Sequence, residues 1–143
     1  MSVREKSDSA NSPASSSHTV EEREGYLFVH YTGEISVDDL VEITDTNHSN
    51  PRFKEMNDLW DLREAYSNEL DYGRIRNFVE YIQKRGSRLH KRSAIVVEGE
   101  LHFGLSRIYQ SLAEEVGEEN FAVKVWGDLD SAKAWLNDGE PTR

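Results

Sequence analysis

The sequence predicts an α/β domain: a mostly parallel mixed sheet of about five strands with about four helices, in the order β-β-α-β-α-β-α-β-α. Three observations carry this expectation. After an opening pair of extended runs, short stretches rich in aromatic and β-branched residues alternate with segments whose apolar residues recur every three or four positions, the pattern of strands joined by crossover helices. The run Ala94-Ile-Val-Val97 is unbroken and too short for a helix, as in a central strand covered on both faces. Punctuation agrees: Ser36, Asp71 and Asp128 stand where helices should start, and Gly86 and Gly117 where they should stop.

Residues 2–17 hold seven serines with Pro13 and no apolar run, so they cannot bury enough surface to offset the entropy of ordering. Residues 1–18 are therefore expected to form a disordered tail, 19–138 a single domain and 139–143 a short closing tail. Thr19–Glu22 and Tyr26–Thr32 read as a hairpin around Arg23-Glu24-Gly25. Ser36, with Asp39 three residues on, caps a first helix from about Val37 to Asn47, with Val37, Leu40, Val41 and Thr44 on one face. Asn50 and Pro51 mark its exit. Asp58–Leu62 is a short strand, Arg63–Leu70 a polar loop, and Asp71 the cap of a second helix carrying Tyr72, Ile75, Phe78, Val79 and Ile82. A third helix runs from about Leu101 to Val116 on Leu101, Leu105, Ile108 and Leu112. Phe121–Trp126 is a strand with Phe121, Val123 and Val125 inward, and Asp128 caps a last helix with Leu129, Ala132, Trp135 and Leu136.

The chain has 143 residues, 27 acidic against 17 basic, a formal charge of -10 and no cysteine. That acidity favours solubility and works against nucleic acid and anionic membranes as partners. Disulfides, thiolate metal sites and thiol nucleophiles are excluded. No secretory signal and no membrane-spanning run is present, so a cytoplasmic location is expected.

The closing segment Val125-Trp-Gly-Asp-Leu-Asp-Ser-Ala-Lys-Ala-Trp-Leu136, the Trp60-Asp-Leu62 strand and the Ala94–Val97 strand leading to Arg107 and Tyr109 resemble the bacterial SpoIIAA-like (STAS-type) family over about Thr19 to Leu136. The resemblance implies a sheet with helices at its faces, kinship with anti-sigma-factor antagonists and, more distantly, with CRAL-TRIO lipid-binding domains. In the antagonists a phosphorylatable serine opens the second helix. Here Leu70-Asp71-Tyr72-Gly73 occupies that place without one, and the nearest hydroxyls are Ser67 and Tyr72.

Four constellations are candidates for function. The Arg63–Arg76 loop and helix start, with Asp61, Arg63, Ser67, Asp71 and Tyr72, follows a parallel strand, where free helix N–H groups and loop side chains bind ligands in α/β proteins. Asp61 and Asp71 read equally as loop and capping residues. Glu98-Gly-Glu-Leu-His102-Phe-Gly104 offers an ionisable histidine between carboxylates, but without a second histidine at metal-ligand spacing. Lys84, Arg85, Arg88, His90, Lys91 and Arg92 form a basic run that also suits a helix C-terminus. Trp60, Phe78, Tyr81, Phe103, Tyr109 and Trp126 are rings that serve a core or line a cavity. No phosphate loop, nucleophile elbow or zinc-protease motif is present, and no cofactor or catalytic residue is implied.

The expected function is a non-enzymatic regulatory or protein-interaction module acting through residues 63–76. The alternatives are a carrier or sensor of a small apolar or anionic ligand held by Phe78, Phe103 and Tyr109 beside the second and third helices, and an unfamiliar hydrolase using His102 with Glu98 or Glu100. The exposed edge of the opening hairpin suits a homodimer.

Overall fold

Glu24 and Gly25 both take positive φ, 48° and 90°. That is the two-residue turn whose twist matches the strands it joins, and it sets β1 (Ser17–Arg23) antiparallel to β2 (Tyr26–Glu34), with Arg23 opposite Tyr26. The structure, a computed structural model of the chain, describes residues 16–53, 56–67, 70–85, 91–115 and 121–137. The expected tail lies outside them except for its last residues, of which Ser17 and His18 already pair with Thr32 and Tyr31.

The element order is the expected one. Beyond the hairpin come α1 (Val37–Ser49), β3 (Asp58–Tyr66), α2 (Tyr72–Arg85), β4 (Lys91–Val96), α3 (Glu100–Glu115), β5 (Phe121–Trp126) and α4 (Leu129–Asn137). Caps explain where the helices begin. Ser36 Oγ accepts from Asp39 N at 3.2 Å, Asp71 Oδ1 from Arg74 N at 2.9 Å and Asp128 Oδ1 from Ser131 N at 2.7 Å, each satisfying a donor that the helix itself leaves open.

The sheet runs β1-β2-β3-β4-β5, parallel throughout after the hairpin. Every crossover steps to the next strand in the same direction, so right-handed connections place α1, α2 and α3 on one face. On the other face α4 brings Ala132 and Leu136 onto Phe28, Leu59, Ala94 and Val96. Residues 94 and 96 of β4 thus face α4, whereas Ile95 and Val97 pack with Val123 and Tyr109 on the three-helix face. This is the doubly covered central strand the sequence predicts. Trp126, expected outward, is half-buried against Trp135, because α4 covers the end of β5.

Two elements depart from expectation. β3 continues through Arg63–Tyr66, read from sequence as loop, because the end of β2 offers pairing partners: Gly33 lies opposite Ala65 and Glu34 opposite Tyr66. An available partner strand overrides polar composition. Between His30 and Thr32 the register slips, with β3 advancing from Asp61 to Glu64. The extra residue reverses the alternation, so that Ala65 joins Val29, Tyr31, Ile35 and Ile43 under α1 while Tyr66 turns outward. On α1 the buried positions are Ile43, Thr44 and Asn47, so of the expected face of Val37, Leu40, Val41 and Thr44 the last is buried, and the inward face extends on to Asn47.

Polar ties hold the layers. Tyr31, fully buried, donates to the Glu34 carbonyl and to Asp39 on α1. Burial first, and then that carboxylate, push its phenol above the ordinary range. Tyr81 Oη donates to both carboxylate oxygens of Asp45 at 2.7 and 2.8 Å, joining α2 to α1.

Gly104 is exposed within α3, and a Cβ built there meets no atom within 4 Å. Gly104→Ala is therefore expected to raise stability by about 0.5–1 kcal/mol. Urea denaturation of the two proteins checks it, and a lower midpoint would show that the position is less open than this.

Candidate functional site

Between the three-helix face of the sheet and α1, α2 and α3 lies a cavity of about 110 Å³. Its floor is built by alternation: Asp58, Trp60 and Leu62 from β3, and Ser93 and Ile95 from β4 with Val97 just beyond its end. Its roof is built by helical periodicity, with Ile75, Phe78 and Ile82 from α2 and Leu105, Ser106 and Tyr109 from α3. One wall is α1, from Val37 through Leu40, Thr44 and Asn47 to His48, a run of roughly 16 Å at 1.5 Å per residue. Small side chains explain why space remains: Thr44, Ala65, Ser67, Ser93 and Ser106 stand where larger ones would close the gap.

The lining is apolar along most of its length and polar at one end. There the sheet contributes Asp58 and Ser93, both 4% exposed, with Ser93 Oγ donating to Asp58 Oδ1. Thr44, Asn47 and His48 approach from α1. At the far end Ser67 Oγ accepts from Leu70 N at 3.2 Å, and both residues border the cavity. Tyr66 and Tyr72, which flank these two residues in sequence, are the exposed large apolar side chains among the described residues, 42% and 52%.

The structure divides the residues singled out from sequence. Ser67, Phe78 and Tyr109 line the cavity, with the Phe78 and Tyr109 rings 6.0 Å apart. Asp61 is buried on the face away from it and binds Arg63, Nε to Oδ1 at 2.9 Å and Nη2 to Oδ2 at 3.0 Å. Burial alone would raise the Asp61 pKa. The Arg63 hydrogen bonds and charge, with His30 nearby, outweigh it and hold the carboxyl below its ordinary range. Asp71 is an exposed cap paired with Arg74, and Tyr72 is exposed beside it. Asp61, Arg63, Asp71 and Tyr72 do not converge with Ser67 on one site. In this strand order no reversal opens the crevice at which open α/β sheets bind ligands.

His102 and Phe103 fall on the first turn of α3, with side chains outside the described residues. Arg88 and His90 of the basic run are also outside them, while Arg92 donates to the Trp135 carbonyl and lies 5.2 Å from the centre of its ring, at the end of α4. Among the described residues no group of three or more His, Asp or Glu side chains is placed to hold a metal ion. No described helix is long and apolar enough to cross a membrane.

Sequence reasoning missed the polar end of the cavity. Its signal was present: Thr44, already placed on the α1 face with Val37, Leu40 and Val41, is followed three residues on by Asn47, and Ser93 precedes the apolar run Ala94–Val97. Neither rings nor ionisable motifs mark them.

Compared with solved structures, the chain is similar to an uncharacterized protein of the DUF3478 family from Shewanella loihica PV-4, described as having a SpoIIAA-like fold. The TM-score is 0.54 at 19% identity, over 85% of this chain and 93% of that one. The fold is SpoIIAA-like. No family model matches the sequence, and no curated protein matches it. The SpoIIAA-like frame accounts for the sheet and its four helices; the cavity is described by this chain's own side chains.

Proposed function

We propose that this SpoIIAA-like domain is a non-enzymatic binding module for a small, mostly apolar molecule held between the sheet and α1, α2 and α3. The cavity carries the reading. A void of about 110 Å³ approaches that of the engineered apolar cavity of ~150 Å³ that takes up benzene. Apolar walls with a few converging polar groups are the usual make-up of a small-molecule site. Phe78 and Tyr109, singled out from sequence as lining a ligand site, stand in its roof.

Native mass spectrometry of the purified protein, followed by thermal shift across a panel of small apolar molecules, tests it. A mass above that of the bare chain, or a ligand that raises the melting temperature and perturbs amides of α1–α3, is expected. A bare mass with no shift across the panel would overturn the reading. Ser106 is half-buried in the lining, so Ser106→Phe should fill the space and weaken the best ligand more than about tenfold, at an overpacking cost of about 1–3 kcal/mol. Unchanged affinity would place the ligand elsewhere.

A second reading, an interaction module acting through residues 63–76, is favoured by the exposed rings of Tyr66 and Tyr72 near Ser67 and Leu70. Loss of partner capture in Tyr72→Arg would support it, and unchanged capture would remove it.

A further inference from the structure

We infer that the outer edge of β1 pairs with β1 of a second copy of this chain, antiparallel about a two-fold axis at Val20, so that one continuous sheet crosses a homodimer.

Three observations carry it. The first is which backbone groups the strand leaves open. Glu24 and Gly25 form a two-residue turn, so Arg23 and Tyr26 make the hydrogen-bonded pair that closes it, and the ladder alternates from there. Leu27 N donates to Asn57 O at 2.9 Å, on the β3 side. Its opposite residue Glu22 therefore turns its own N–H and C=O away from β2, and by alternation Val20 and His18 do the same. β1 is the last strand of the sheet, and no strand lies on its outer side among the described residues.

The second is how little protects this edge. Edge strands are usually blunted by short length, proline, lysine or a bulge. β1 spans seven residues, Ser-His-Thr-Val-Glu-Glu-Arg, without proline or lysine, and its register with β2 is unbroken. Its charges are matched within the chain: Arg23 holds Glu21, and Arg52 holds Glu22 at 2.8 and 2.6 Å. The opposite edge is guarded, because β5 carries the exposed Lys124 near its middle.

The third is self-complementarity. An axis at Val20 pairs the whole strand with itself, and the open groups of His18, Val20 and Glu22 meet in three pairs that each exchange two hydrogen bonds. Val20 then lies beside its own copy, His18 opposite Glu22, Thr19 opposite Glu21 and Ser17 opposite Arg23, with no like charges face to face. Moving the axis to Glu21 would set two glutamates against each other, which is destabilising.

Sedimentation of the full chain over a wide concentration range is the first test. A monomer–dimer equilibrium is expected, tightening as salt screens the repulsion between two chains of formal charge -10. Monomer at every concentration and salt overturns the inference.

Hydrogen exchange locates the contact. The Val20 and Glu22 amides should gain protection as concentration rises, while Thr19 and Glu21, bonded to β2, stay protected throughout. Protection of Val20 and Glu22 that ignores concentration would mean that another part of the same chain covers the edge, and overturns the inference. So does a dimer in which they stay unprotected.

Charge reads the register. Thr19 is exposed and its backbone bonds to β2, so its side chain can change with the hairpin intact. With the axis at Val20, Thr19→Glu faces Glu21 twice per dimer and should weaken association about tenfold, and Thr19→Lys should tighten it about threefold. The same two substitutions at Ala134, exposed on α4, measure the effect of net charge alone. Weaker association in Thr19→Lys would place the axis at Thr19, and equal shifts at positions 19 and 134 would remove β1 from the interface; either result overturns the proposed pairing.

Discussion

Leu59→Ala is expected to destabilise the domain by about 3–4 kcal/mol, within the range measured for Leu→Ala in cores. Leu59 is fully buried on β3, opposite Phe28 of β2 and Ala94 of β4, beneath Ala132 and Leu136 of α4. Its neighbours leave little room to collapse into the gap, since strands lie on both sides and the cavity that yields to substitution is on the other face of the sheet. Against a total stability of about 5–15 kcal/mol for such domains, the loss would bring the chain close to its unfolding threshold at physiological temperature. Urea unfolding should show the midpoint fall with the slope unchanged. A loss below about 1.5 kcal/mol, less than the transfer of a buried leucine alone, would show that α4 is not seated on this face.

The same packing shows what was legible in the sequence. Helix starts were, because Ser36, Asp71 and Asp128 act through local geometry that residue type largely determines. Ala94–Val97 was, because an unbroken apolar run has few other uses. The end of β3 was not: Arg63-Glu64-Ala65-Tyr66 has no strand pattern of its own, and its conformation comes from pairing with β2 across a bulge. The candidate site divided along the same line. Phe78 and Tyr109 were legible as rings at helical spacing, whereas Asp61 and Arg63 were grouped with Ser67 by nearness in sequence alone. Strand alternation puts Asp61 with Leu59 on the α4 face, and no single-sequence pattern states which face of a sheet a given helix will cover. Thr44, Asn47 and Asp58 gain their meaning only when α1 is laid across β3.

Asp61→Ala is expected to cost about 1–2 kcal/mol at pH 7, and the cost should shrink in acid. The carboxylate is 4% exposed and accepts three hydrogen bonds from Arg63, two from the guanidinium and one from the backbone at 3.2 Å. Hydrogen bonds to charged groups are worth about 1.5–3 kcal/mol, here reduced because the Arg63 side chain is 34% exposed and water replaces part of what is lost. The sign of the pH dependence follows from the folded state holding Asp61 below its ordinary range. Stability from such a group is fully present above the unfolded pKa, about 3.9 for aspartate, and disappears as pH falls through the lower folded value. The gap between the wild-type protein and Asp61→Ala should therefore be constant from neutrality to about pH 5 and then narrow steadily below pH 4. Asp61→Asn, which keeps an acceptor and loses the charge, should fall between them at neutrality and show no narrowing of its own. Equal gaps at pH 7 and pH 3 would mean that Arg63 is held by the bulge alone, and that the ion pair follows from the backbone geometry instead of helping to fix it.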